Sequence, residues 1–226
     1  MKKSNILWII IVELLFVLVI TSCKKDDKTV PVITFKGNST DIVRFKSSSV
    51  YVDPGVTAID NLDGDITSSV IDSGTVDINN VGTYYIKYTA TDKAGNSASI
   101  TRTVIVDATS LFIGKFNHID VIDGITYPLT EDSLCASSTT KNKIIFNKFS
   151  GFTNAKIFAT LKGSFVTIPA QSYYCGDFPL DTVRTFATIG STSTFTFVDP
   201  FGSMTLNYKI IHGTDTIICS SIYTKQ

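Results

Sequence analysis

Glutamate is nearly missing from this chain of 226 residues: Glu13 and Glu131 are the only two. Beyond residue 22 there are 29 Thr for the single Glu131. Thr favours strands and Glu is among the common helix formers, and no window carries an apolar stripe of period 3.6. These features argue against a helical protein and predict an all-β one. Histidine is equally scarce, with His118 and His212 alone. Each reads as a half-buried strand or turn residue rather than a general base. G-x-S-x-G, H-E-x-x-H and a phosphate-cradling glycine loop are absent, as is any C-x-x-C or Cys/His cluster of the kind that holds zinc. The chain reads as non-enzymatic, although two Asp residues brought together by folding could still serve glycoside hydrolysis. Excess charge is lacking too, at 20 basic against 20 acidic residues. Without Lys2, Lys3 and Glu13 the balance is 18 to 19. No basic field exists to draw nucleic acid.

The apolar residues are unevenly placed. Met1-Lys2-Lys3-Ser4-Asn5 precedes fifteen residues, Ile6 to Ile20, that are apolar apart from Glu13. A membrane-spanning helix needs about 20 such residues, and a central acid would cost about 2.5–3.5 kcal/mol. A secretory signal over residues 1–22 fits better. Its end, Val19-Ile20-Thr21-Ser22-Cys23, resembles a bacterial lipobox. The resemblance implies cleavage before Cys23, acylation of that residue and anchorage in a membrane by several acyl chains, palmitate among them, since one chain holds only weakly. Residues 23–30 then form a lipidated tether. Within it, Lys24-Lys25-Asp26-Asp27-Lys28 is similar to the signal that sends lipoproteins of glycan-foraging gram-negative bacteria to the outer face of the outer membrane. Read as chemistry alone, it is a charged, solvated tether.

With Cys23 committed to lipid, Cys135, Cys175 and Cys219 remain. Cys135 and Cys175 sit in polar, turn-rich sequence, so they are the favoured disulfide pair in an oxidising compartment; three reduced cysteines are the competing arrangement.

Strand patterns divide the rest into two β domains. Over Thr83 to Asp92 the residues Tyr84, Ile86, Tyr88 and Ala90 fall on one face, and Lys93-Ala94-Gly95-Asn96 supplies a turn to a partner at Ser97 to Val106, interrupted by Arg102. Tyr51-Val52-Asp53-Pro54-Gly55-Val56, Asp60-Asn61-Leu62-Asp63-Gly64-Asp65-Ile66-Thr67, Gly82-Thr83-Tyr84 and Tyr88 to Asn96 resemble, in order, the bacterial Ig-like domain first described in a pesticidal crystal protein. That resemblance implies an Ig-like β-sandwich over residues 31–107, usually a spacer or adhesive unit of surface proteins. Residues 108–226 continue with short strands and turns, predicting a second antiparallel β-sandwich or a small β-barrel. A β domain behind an Ig-like module on a lipid-anchored chain resembles surface lipoproteins encoded near glycan-uptake systems.

Candidate sites are few. Asp60, Asp63 and Asp65, with Asp92 and Asn96 nearby, could supply oxygens to calcium; the same residue types also build turns without a metal. For a polysaccharide, Trp8 leaves with the signal, so Tyr and Phe must serve. Among Tyr127, Tyr173, Tyr174, Phe178 and Phe201, the group Tyr173, Tyr174 and Phe178 around Cys175 stands out. The expected role is polysaccharide capture at a bacterial surface; the alternative is a structural or adhesive protein that meets another protein and has no glycan site.

Overall fold

A computed structural model describes residues 26–46, 50–128, 130–152, 155–175, 182–190, 193–198 and 201–226. The described residues form strands and three short 3-10 turns, and no helix among them is long and apolar enough to cross a membrane. The protein is all-β.

The first strands run β1 (Val32–Phe35), β2 (Thr40–Arg44), β3 (Val56–Asp60), β4 (Gly64–Asp65), β5 (Ile71–Ser73), β6 (Gly82–Thr91) and β7 (Ser97–Asp107). They form two small sheets of an Ig-like sandwich, ordered β1-β3-β4 and β2-β7-β6-β5. β2 pairs parallel with β7, Ile42 opposite Ile105. The alternation expected of β6 is present, with Ile86, Tyr88 and Ala90 buried and Tyr85, Lys87 and Thr91 exposed. Ile66 to Ile71 reads as a strand in sequence but is largely a turn, Thr67–Ser69, because the Asp65 carboxylate accepts the Thr67 N–H at 2.9 Å and curls the backbone.

Later strands are β8 (Gly114–Ile122), β9 (Ile125–Thr126), β10 (Thr130–Ala136), β11 (Lys143–Phe146), β12 (Ile157–Lys162), β13 (Phe165–Thr167), β14 (Gln171–Cys175), β15 (Thr182–Thr188), β16 (Thr194–Val198), β17 (Phe201–His212) and β18 (Asp215–Lys225). Successive pairings run β17-β16-β13-β12-β11-β10-β8-β18, and β18 pairs back with β17. The ring closes, so the choice between sandwich and barrel falls to an eight-stranded barrel. β15 and β14 extend from β17, and β9 flanks β8. Alternate residues turn inward: Phe116, His118 and Asp120 on β8; Met204, Leu206, Tyr208 and Ile210 on β17; Cys219, Ser221 and Tyr223 on β18. An eight-stranded barrel is just wide enough for side chains to fill it or for one small ligand. Here Phe146, Phe149, Tyr208 and Tyr223 pack edge to face or tilted through the interior.

By backbone proximity the chain divides into two compact units. Among the described residues, one draws on 26–34, Val56–Ile71 and Thr89–Ser99 and contains β3, β4 and the turn between β6 and β7. The other draws on Phe35–Gly55, Asp72–Tyr88 and Ile100–Gln226 and contains β2 and the whole barrel.

Candidate functional site

The barrel interior is largely apolar, and a connected group of polar side chains lies toward the end where β8 and β17 finish and β18 begins. There, a buried polar chain starts at Asp120. Its Oδ1 accepts the Ser221 hydroxyl at 2.5 Å and lies 3.2 Å from His118 Nδ1. Tyr208 Oη donates to Ser150 Oγ at 2.8 Å and lies 3.0 Å from Ser221 Oγ. Burial, and then the Asp120 charge, push the Tyr208 phenol far above its ordinary range, so it stays a protonated donor. Strand register accounts for the rest: His118 is opposite Tyr223, and their rings stack 4.7 Å apart.

This chain ends at a cavity of about 410 Å³. Asp120, Tyr127, Thr130, Ser150, Phe152 and Arg184 are among its lining residues. The Thr130 hydroxyl is held 2.7 Å from His118 Nε2, and the Arg184 guanidinium lies 5.0 Å over the Phe152 ring. Barrel mouths are recurrent sites for small ligands. This one offers two aromatic side chains, two hydroxyls, a carboxylate and a guanidinium, a set that can pack against an apolar face while hydrogen-bonding in several directions. Tyr127 is the one lining residue that composition had marked as a loop aromatic. His118, Asp120 and Ser221 gave no local signal, because strands far apart in sequence bring them together.

Of the aromatic group expected around Cys175, Tyr173 and Tyr174 are placed on opposite faces. That stretch is strand β14, not a loop, so its side chains alternate: Tyr173 packs against the core while Tyr174 faces solvent. Phe178 lies outside the described residues, as does Cys23 with the whole signal segment. The Cys135–Cys175 disulfide is also absent, and Cys135, Cys175 and Cys219 are thiols. Cys135 is on β10 and Cys175 on β14, strands that are not neighbours in the sheet. Leu134 points into the barrel and Cys135 therefore away from it, whereas a disulfide needs the two Cα atoms within about 7 Å and converging side chains.

Of the expected acidic cluster, the structure gathers only part. Asp63 is committed to Lys93, accepting its N–H at 2.7 Å and its ammonium at 3.0 Å, and Asp65 caps Thr67. Asp60 instead meets Asp92 and Asp27, with one oxygen of each within 4.8 Å of the others.

Comparisons with known proteins give a match over the N-terminal module. No curated protein matches the chain. Among solved structures, the lipoprotein BT2262 from Bacteroides thetaiotaomicron is similar at 20% identity and a TM-score of 0.35, over 87% of this chain and 100% of that one. The second carbohydrate-binding CBM51 and INT domains of Clostridium perfringens ZmpB, solved with GlcNAc, are similar at 13% identity and a TM-score of 0.29, over 86% of this chain and 44% of that one. Both likenesses are remote. Residues 33–106 match the family model described as a bacterial surface protein, Ig-like domain.

Proposed function

We propose that the protein is a non-enzymatic bacterial surface lipoprotein, anchored in the outer membrane through Cys23, whose Ig-like module presents a barrel that captures a saccharide. The observation that carries the reading is the cavity at the barrel end, where Tyr127 and Phe152 stand beside Thr130, Ser150, Asp120 and Arg184. A volume of about 410 Å³ suits one or two sugar rings rather than a polymer, so a chain end or a side branch is the expected ligand. Catalysis is disfavoured by His118. Its ring is 1% exposed and stacked on Tyr223, and it is not itself among the residues that line the cavity. The test is a glycan array probed with the full chain, followed by titration of the best ligand. Tyr127→Ala should weaken binding about tenfold, as loss of an aromatic contact of about 1.4 kcal/mol would. Binding that is undiminished in both Tyr127→Ala and Thr130→Ala, or absent from every glycan, would reject the cavity as the site.

A second reading, adhesion to another protein, has its own observation. Ile119 on β8 is paired with Ile222 on β18, and these two and Ile218 are exposed on the outer wall. A protein partner lost on Ile222→Asp, with no glycan bound, would favour it.

A further inference from the structure

A buried carboxylate is costly unless a cation, a proton or hydrogen-bond donors offset its charge. Asp60 and Asp92 are 3% and 6% exposed, and Asp27 joins them with all three oxygens inside 4.8 Å. Among the described residues no Lys, Arg or His forms an ion pair with any of the three. Of the two lysines adjacent in sequence, Lys93 is spent on Asp63 and Lys28 lies beside Asp26.

The two oxygens of Asp60 differ. Oδ1 accepts the N–H groups of Leu62 at 2.9 Å and Asp63 at 2.8 Å, which fixes the carboxylate at the head of its turn. Oδ2 is sealed from solvent and has no hydrogen-bond partner. Asp92 is pinned as well. Burial works to raise its pKa, but the Asn96 side chain and the backbone N–H groups of Asn96, Gly95 and Ala94 outweigh it and hold the carboxyl below the usual range. Asn96 Nδ2 donates to Asp92 Oδ2 at 2.7 Å and to the Asp27 carbonyl at 3.0 Å. The segment that carries Asp27 is thereby drawn onto the turn between β6 and β7.

We infer that Asp27, Asp60 and Asp92 bind a divalent cation, calcium by its coordination chemistry, which fastens the segment around residue 27 to the 60–65 and 92–96 turns. Oxygens on opposite sides of a calcium ion, each about 2.4 Å from it, stand about 4.8 Å apart. With no two of the oxygens more than 4.8 Å apart, the three carboxylates are within reach of one such ion. Calcium takes six to eight oxygens in a flexible arrangement, so backbone carbonyls and waters can complete it, whereas magnesium demands a near-ideal octahedron and dehydrates reluctantly. Extracellular modules of this kind bind in the range of about 10⁻⁴–10⁻³ M, so occupancy follows calcium outside the cell. The site is independent of the barrel cavity and of any saccharide.

The experiment uses the full chain in detergent, stripped with chelator and returned to 10 mM calcium chloride, to magnesium chloride, or to sodium chloride of equal ionic strength. Calcium alone should raise the melting temperature by about 3–6 °C. It should also slow tryptic cleavage after Lys28, whose side chain is 83% exposed, by about fivefold or more. Both effects should vanish in Asp60→Asn and in Asp27→Ala. Asp27 lies outside every strand, so its variant keeps the fold and decides the matter if Asp60→Asn does not fold. No calcium-specific change in the native chain, or an equal change in Asp27→Ala, overturns the proposal.

Discussion

At the scale of single residues, Arg102 shows most clearly how a polar side chain can specify a core. It points inward from β7 in line with Val104 and Val106 and is fully buried. Its Nε donates to Tyr88 Oη at 3.2 Å and lies 3.1 Å from Asp53 Oδ1. Nη2 donates to the carbonyls of Lys36 at 3.0 Å and Gly55 at 2.9 Å, Nη1 to that of Asn38, and the guanidinium lies 5.0 Å over the Phe35 ring. In sequence Arg102 is only an interruption of a strand pattern, since its hydrogen-bond partners are 14 to 66 residues away. The Tyr51 to Gly55 block gains a reason, because Asp53 and the Gly55 carbonyl hold this one cation. Arg102→Ala should cost about 3–5 kcal/mol, as removal of one member of a buried ion pair does; urea denaturation measures it, and a loss under 1 kcal/mol would contradict the account. Asp132 makes the opposite case. Burial raises its carboxyl above the ordinary range against hydrogen bonds from the N–H groups of Lys148 and Ser133, and Oδ2 has no hydrogen-bond partner. A raised folded-state pKa means that the folded chain holds this proton more tightly than the unfolded chain. The associated stability is present at low pH and lost as pH rises through the raised value. Asp132→Asn should therefore stabilise the chain by about 1 kcal/mol at pH 7, with the gain shrinking as pH falls to about 4. Urea midpoints at the two pH values test it, and a gain of equal size at both would count against it.

At the scale of elements, the long strands β6 and β7 were legible because alternation over eight or more residues leaves little ambiguity. β10 and β14 were not. Asp132-Ser133-Leu134-Cys135 and Tyr173-Tyr174-Cys175-Gly176-Asp177 are rich in turn-forming residues, and it is pairing with β8, β11 and β15 that makes strands of Thr130–Ala136 and Gln171–Cys175. Reading them as loops produced the disulfide that the structure lacks, and an aromatic group whose two tyrosines it turns to opposite faces. The thiols report on this directly. Cys135 is half-buried on a strand face turned from the interior, whereas Cys175 and Cys219 are buried. Burial, and then the Asp120 charge, push the Cys219 thiol up to about 12. Iodoacetamide at pH 8 should therefore modify Cys135 in the folded chain and reach Cys175 and Cys219 only after denaturation, as peptide mass spectrometry would show. Failure of Cys135 and Cys175 to react in denaturant without reductant would restore the disulfide.

At the scale of the whole molecule, the all-β class followed from Thr abundance and Glu scarcity, and the Ig-like module from four ordered blocks of residues. Barrel closure left no such trace. It depends on β18 meeting both β17 and β8, and Ser221 reaches Asp120 across 101 residues of chain. The acidic site illustrates the same limit: a run of nearby aspartates drew attention to Asp60, Asp63 and Asp65, yet Asp65 caps its own turn, Asp63 is committed to Lys93, and Asp60 finds its partners at residues 27 and 92. That seam also has a consequence for biogenesis. Contacts of such long separation form slowly, because loop closure must precede any gain from them. For a chain that crosses a membrane before it folds, as proposed here, the barrel cannot shut while Gly114–Ile122 and Asp215–Lys225 lie on opposite sides. For such a chain, closure of the ring would wait until the β8 and β18 segments share one side.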